Sequence, residues 1–209
     1  MEGLLVIGGR GPDPATLAGM ATDASLIVAA DSGLEAALAG GIAPDLVVGD
    51  MDSLADLSLL NGFPRERVLR FPRDKDETDT EIGLRVMREM GCGSVTIAGG
   101  GGGRIDHLLG IVNLFEREKP PKRWVTDGED IFLVEGTAEF DARAGQTVSI
   151  FPVGSVSARM ASTGLRWDLD ELEFRRGFPG LSNRALGGPV RLSVGIGKLL
   201  VIKLLSEER

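Results

Sequence analysis

The stretch "LIVAADSGLEAALAGGIAPDLVVGDMDS", residues 26–53, decides the fold. Two short apolar runs, Leu26–Ala30 and Leu46–Val48, flank a helix-like segment over Gly33–Ala39. Neither run alternates polar with apolar residues, so both read as strands buried on two faces, the pattern of a parallel sheet. Strand, helix and parallel strand make a right-handed βαβ unit. Both runs end on acids. The first delivers Asp31, the second Asp50 and Asp52.

The same alternation extends outward. Leu4–Ile7, Val68–Phe71 and Val95–Ala98 read as further strands, and Pro14–Ala21, Thr80–Met90 and Ile105–Glu118 as helices. In the third helix Ile82, Val86 and Met90 recur at spacing four on one face. Residues 1–127 are therefore expected to form an α/β domain with a doubly wound parallel sheet. After "KPPKRWVTDG" (119–128) the character changes. "DIFLVEG", "AEFDA", "QTVSIFPVG", "SVSARMAS", "PVRLSVGIG" and "KLLVIKLL" are short β-like runs parted by Gly, Pro and Asp. They predict a small antiparallel sandwich or barrel over residues 128–209.

The 209 residues are 43% apolar and 26% charged, ordinary values for a globular chain. Lys and Arg number 23 against 31 Asp and Glu, a net charge of −8, which argues against a nucleic-acid partner. One cysteine, Cys92, excludes a disulfide framework and a cysteine-rich zinc site. One histidine, His107, removes every two-histidine metal motif. The opening "MEGLLVIGGRGPDP" breaks too soon for a signal peptide, and no apolar window is long enough for a membrane span. A cytoplasmic protein without a membrane partner is expected.

Between Gly11 and Pro64 there is no Lys or Arg, while eight aspartates and glutamates occur. Ligands of doubly wound sheets bind beyond the carboxyl ends of the strands, where Asp31, Asp50 and Asp52 are expected. Such a cluster needs a cation, and Mg²⁺ takes carboxylate oxygens and arrives with phosphates. In an extended segment Asp50 and Asp52 would point to one side. "RDKDETDTEIGL" adds Asp79 as a further metal ligand and Lys75 as a phosphate-side cation, with Thr78 or Asp79 capping the next helix. "AGGGGGRIDH" follows a strand and opens a helix, so Gly99–Gly103 read as a phosphate cradle with Arg104 gripping phosphate oxygens. It is neither a dinucleotide fingerprint nor a Walker A loop. Asp106 would cap the helix or accept a hydrogen bond from a substrate amine. His107 and Cys92 read as structural.

Together, "AADSG" (29–33), "PDLVVGDMDS" (44–53), "KDETD" (75–79), "GGRIDH" (102–107) and, more weakly, "TGLRWDL" with "LSN" (181–183) resemble the thiamin pyrophosphokinase family. The resemblance spans nearly the whole chain. It implies an N-terminal α/β domain, a C-terminal β domain and a homodimer. It implies an Mg²⁺-dependent reaction of ATP with thiamin that gives thiamin diphosphate and AMP. Carried over by position, Asp31, Asp50, Asp52 and Asp79 are implied as the metal and pyrophosphate site. Ser53, Lys75, Thr78, Gly101, Gly102, Gly103 and Arg104 are implied as ATP and phosphate contacts. Asp106, Trp167, Ser182 and Asn183 are implied as thiamin contacts, the β-domain ones from the partner subunit. One departure is that Arg184 and Ala185 follow Ser-Asn where many members carry Glu and an aromatic.

Two other readings stay open. "GDMDSL" loosely resembles the D-x-D-x-T/V of aspartyl-phosphate phosphatases, another Mg²⁺-dependent class. The altered segment after Asn183 also leaves room for a nucleotide- or thiamin-binding protein without turnover.

Overall fold

The computed structural model describes residues 1–154, 157–170 and 172–206. Its chain divides into two units, Met1–Ile111 with Trp124–Asp127, and Val112–Arg123 with Gly128–Arg209. Residues 112–123, which the sequence placed before a single boundary, therefore group with the second unit.

The first unit is α/β. Its strands are β1 (Glu2–Ile7), β2 (Leu26–Ala30), β3 (Leu46–Gly49), β4 (Val68–Arg70) and β5 (Ser94–Ala98), and its helices α1 (Pro14–Thr22), α2 (Gly33–Ala39) and α3 (Asp79–Glu89). A further helix, α4 (Ile105–Leu114), starts in this unit, and β6 (Arg123–Val125) returns to its edge. The order is β6-β5-β1-β2-β3-β4, with β5, β1, β2, β3 and β4 all parallel. Register pairs Leu4 with Ile27 and Val6 with Ala29 on one face, Leu5 with Val28 on the other. Leu4 and Val6 pack with Leu17 of α1 and Ala37 of α2, and Leu5 meets Gly83 of α3. Burial on both faces explains the unbroken apolar runs of the sequence.

The chain moves one way from β1 through β4 and then jumps back across β1 to β5. The strand ends beside that reversal are the expected ligand edge of such a sheet. The helix expected to reach Glu118 stops at Leu114. Strand β6 is not among the strands expected from the sequence, which has Pro120, Pro121 and Lys122 just before it. Trp124 anchors it, donating its indole N–H to the Gly99 carbonyl at 2.8 Å.

The second unit is all antiparallel. One sheet runs β12 (Gly180–Arg184), β9 (Thr147–Val153), β14 (Lys198–Leu204) and β7 (Glu129–Val134). The other runs β11 (Glu173–Arg175), β10 (Ser157–Thr163), β13 (Gly188–Ile196) and β8 (Thr137–Ala142). Both sheets feed one core, with Val148, Ile150, Leu199 and Val201 from the first and Ala158, Val190 and Leu192 from the second. That is a sandwich. Of the expected run "SVSARMAS", Ser155 and Val156 lie outside the described residues. Strands β11 and β12 were not read from the sequence. The first has three residues, and "GLSNR" carries few strand-favouring side chains.

Candidate active site

Three of the four predicted metal aspartates meet beyond the strand ends. One carboxylate oxygen each from Asp31, Asp50 and Asp79 lies within 4.8 Å of the others. Asp31 follows β2 in the left-handed region (φ 50), where its N–H donates to the Val48 carbonyl at 2.9 Å. The strain of that conformation is held by the sheet and by α2, whose Leu34 N–H donates to the Asp31 carbonyl. Asp31 is 7% exposed. The Ser53 hydroxyl donates to its Oδ2, and its buried Oδ1 has no hydrogen-bond partner. Gly49 ends β3 at φ 134, and a Cβ there would stand 3.0 Å from Asp79 Oδ1. Glycine at this position lets the third carboxylate close in.

Asp79 is the first residue of α3. Thr78 caps that helix in a reciprocal box. Its hydroxyl accepts from the Glu81 N–H at 3.3 Å, and Glu81 Oε2 accepts from the Thr78 N–H at 2.8 Å. The Thr78 hydroxyl, predicted to touch phosphate, is committed to this cap. Thr78→Ala is expected to cost about 1 kcal/mol of stability, which a thermal or urea unfolding curve reads. A midpoint equal to wild type would show that the box contributes nothing.

Lys75 is the cation of the site. Its Nζ lies 3.0 Å from Asp50 Oδ2 and 3.2 Å from Asp79 Oδ1, with its side chain 14% exposed. Burial acts to lower its pKa, but the two carboxylates outweigh it and hold the ammonium above the ordinary lysine value. Burial also acts on Asp50. The Asp52 N–H and Lys75 overcome it, so Asp50 lies below the usual carboxylate range. Asp31 goes the other way. Burial pushes its carboxyl up, the Ser53 hydrogen bond opposes this, and the charges of Asp79, Asp50 and Asp52 add to the rise.

Asp52 stands apart from the triad. The expectation that Asp50 and Asp52 point to one side assumed extended backbone between them. Met51 instead takes φ 66, buries its side chain beside Leu34 and Leu54, and turns the chain. The Asp52 N–H then folds back onto Asp50 Oδ1 at 3.1 Å, and its exposed carboxylate pairs with Arg73 at 3.2 Å. No sequence rule flags a methionine for a left-handed position, so this turn was not foreseen.

The glycine run is also partly committed. The N–H groups of Gly99, Gly100 and Gly101 donate to the carbonyls of Val125, Gly8 and Arg10, at 3.0, 2.8 and 2.8 Å. The predicted cradle is thereby reduced from five amides. Gly102 and Gly103 stay exposed, and no backbone carbonyl among the described residues accepts from their N–H groups. Arg10, which the sequence reading passed over, bridges to Gly101, lies against Gly102 and pairs with Asp127 at 3.1 Å. Arg104 and Asp106 are exposed and paired with each other, Nε to Oδ1 at 3.1 Å. That hydrogen bond holds Asp106 below the usual carboxylate range.

In the second unit Trp167 and Asn183 come together, with Ser182 next to Asn183 in the chain. Buried Asn183 clamps the Trp167 backbone, donating to its carbonyl at 2.7 Å and accepting from its N–H at 3.2 Å. The Trp167 ring is 53% exposed, so it is not a core residue, and the Arg166 guanidinium lies 5.1 Å from its centroid. Ser182 takes φ 58 and donates its N–H to the Ser149 hydroxyl at 3.0 Å. Arg184 binds the Gly145 carbonyl at 2.9 Å, and Ala185 is buried in the sandwich core. The left-handed non-glycine residues among those described are Asp31, Met51 and Ser182, each at or next to a predicted contact.

Three carboxylates converge on one point, and one of them, Asp31, has a buried oxygen without a partner. Such an all-oxygen donor set suits a hard divalent cation. Carried by a doubly wound sheet and followed by an antiparallel sandwich, it defines a two-unit α/β-plus-β chain with an acidic edge. The model of the thiamin pyrophosphokinase catalytic domain matches residues 17–125, and that of the thiamin pyrophosphokinase vitamin B1 binding domain matches residues 137–199. The chain belongs to the thiamin pyrophosphokinase family.

Among relatives, thiamine pyrophosphokinase 2 of Arabidopsis thaliana is 30% identical over 148 residues, covering 64% of this chain and 55% of that protein. Thiamine pyrophosphokinase 1 of Oryza sativa subsp. japonica is 27% identical over 147 residues, covering 64% and 56%. The chain thus spans about half the length of the curated relatives it matches. In fold it is similar to thiamine pyrophosphokinase from Bacillus subtilis, with a TM-score of 0.82 at 22% identity over 99% of this chain and 100% of that one. It is likewise similar to thiamin pyrophosphokinase from Candida albicans, with a TM-score of 0.75 at 17% identity over 98% and 90%.

Proposed function

We propose that this chain transfers a pyrophosphoryl group from ATP to the hydroxyl of thiamin, giving thiamin diphosphate and AMP. The observation that carries the reading is the carboxylate triad of Asp31, Asp50 and Asp79, with its unpartnered Asp31 oxygen, in a chain of this family. These three residues would hold Mg²⁺, and Asp52 flanks them on the exposed side. The ion would neutralise phosphate charge and fix the phosphates for in-line attack.

The chain's own groups do the remaining work. Lys75, Ser53, Arg104 and the free amides of Gly102 and Gly103 face the polyphosphate. Thr78 and Gly101 act indirectly, the first by fixing α3 and Asp79, the second by tying the glycine loop to Arg10. The attacking hydroxyl forms its bond to the β-phosphorus as the bond to the AMP oxygen breaks, and its proton passes to one of the site's aspartates. Positioning and charge stabilisation, rather than a covalent enzyme intermediate, supply the rate. Asp106, Trp167, Ser182 and Asn183 take thiamin. The exposed Trp167 ring suits a cationic thiazolium, and Asn183 sets the backbone that presents it. A homodimer in which the partner's β unit completes the thiamin site belongs to the same proposal, as does a cytoplasmic setting. Among the described residues no helix is long and apolar enough to cross a membrane.

The test is AMP release with ATP, Mg²⁺ and thiamin, each omitted in turn. AMP formed only with all three present is the expected result. ADP or free phosphate in its place would move the reading to an ordinary kinase or a phosphatase. ATP and thiamin bound without turnover would make the chain a binding protein.

A further inference from the structure

Lys75 holds two of the three carboxylates that a divalent cation would need. Its ammonium lies 3.0 Å from Asp50 and 3.2 Å from Asp79, with its side chain 14% exposed. Among the described residues no cation pairs with Asp31, the third, and its buried Oδ1 has no hydrogen-bond partner. An ammonium and a divalent cation cannot both sit on these oxygens without strong repulsion at contact distance. Lys75 stands between β4 and α3, in residues 71–78, a segment without helix or strand. Its four-carbon stem lets the charge move several ångströms while the backbone stays in place.

We propose that Lys75 is the exchangeable counter-ion of the triad. It pairs with Asp50 and Asp79 in the metal-free protein, competes with a divalent cation for them, and moves to the polyphosphate when both ligands are present. This rests on the triad being the cation site of the proposed function. Polyphosphate gives Lys75 a new anionic partner, so polyphosphate and divalent cation strengthen each other's binding through this one side chain. The coupling is reciprocal by linkage.

The test is Mn²⁺ binding to the full chain, measured by titration calorimetry or by loss of the free-ion spin-resonance signal, with and without inorganic tripolyphosphate. No turnover is needed. Lys75→Met should bind Mn²⁺ alone about tenfold or more tightly than wild type. Tripolyphosphate should strengthen Mn²⁺ binding to wild type and do so much less in Lys75→Met, after correction for Mn²⁺ held by tripolyphosphate in solution. Arg73→Met removes the same charge from an exposed residue that pairs with Asp52 rather than with the triad, and should stay within about twofold of wild type. Lys75→Gln serves the same comparison should the methionine variant fail to fold. Equal or weaker Mn²⁺ binding by the Lys75 variants, or an equal gain in Arg73→Met, overturns the counter-ion proposal and leaves the triad as a metal site. No Mn²⁺ binding by wild type or by any variant overturns both.

Discussion

Asp31→Asn is expected to lower kcat/KM for pyrophosphoryl transfer to thiamin by about 10²–10³-fold, while raising the melting temperature of the metal-free protein at pH 7. Both effects come from one charge. Asp31 is 7% exposed, shares a 4.8 Å cluster with Asp50 and Asp79, and pairs with no cation among the described residues, while Lys75 lies on the other two. Its folded pKa is raised, first by burial. A carboxyl with a raised folded pKa contributes its stability below the unfolded value and loses it as pH rises through the folded value. At pH 7 the unfolded chain ionises Asp31 more readily than the folded one, so this carboxyl works against folding and asparagine would remove that cost. The Ser53 hydroxyl can still donate to the asparagine oxygen, so the local hydrogen bond survives. With Mg²⁺ bound as proposed, the same charge would serve as a ligand, and its loss would appear as lost turnover. Asp50→Asn should cost more activity than Asp52→Asn, since Asp52 lies outside the cluster on an exposed turn. Kinetics and melting curves at pH 5 and pH 7 decide the point. An Asp31→Asn enzyme within tenfold of wild type would remove Asp31 from the reaction.

The α/β unit was legible because its strands are buried on two faces, which leaves apolar runs with sharp ends. Leu26–Ala30 and Gly33–Ala39 agree residue for residue with β2 and α2. Position along a strand end was legible too, and it places Asp31 and Asp50 at one edge. The turn between Asp50 and Asp52 was not. It depends on Met51 accepting a left-handed conformation so that its side chain fills a hole beside Leu34 and Leu54, a tertiary gain that no local pattern encodes. The glycine run shows the same limit. Its composition signalled close backbone approach. Yet the neighbours that approach include the Gly8–Arg10 segment, whose carbonyls take two of the predicted cradle's N–H groups. Sequence-distant pairing decides which amides remain for a ligand. In the second unit the alternating runs gave most of the strands, whereas β11 and β12 rest on partners rather than on propensity.

Two substitutions with the same chemistry should move stability in opposite directions, and the larger effect bears on the site. Gly33 opens α2 two residues after Asp31. A Cβ there would stand 2.1 Å from the Val6 carbonyl oxygen and 2.6 Å from the Val6 carbonyl carbon. Both are backbone atoms of the central strand β1, paired on each side by β2 and β5, so neither can yield cheaply. Helix α2 must lift off the sheet, carrying the carbonyl of Asp31 that caps its first turn. Overpacking of this kind costs about 3 kcal/mol or more, and Gly33→Ala should melt roughly 6–12 °C below wild type, at about 2–4 °C per kcal/mol for a chain of this size. Gly19, inside α1, meets nothing within 4 Å. There alanine gains helix propensity without a clash, and Gly19→Ala should stabilise by about 0.5–1 kcal/mol. Because α2 positions Asp31, Gly33→Ala should also weaken Mn²⁺ binding in the fraction that remains folded, while Gly19→Ala leaves it unchanged. A Gly33→Ala protein that melts within 2 °C of wild type would mean that helix and strand do not approach as closely as these distances state.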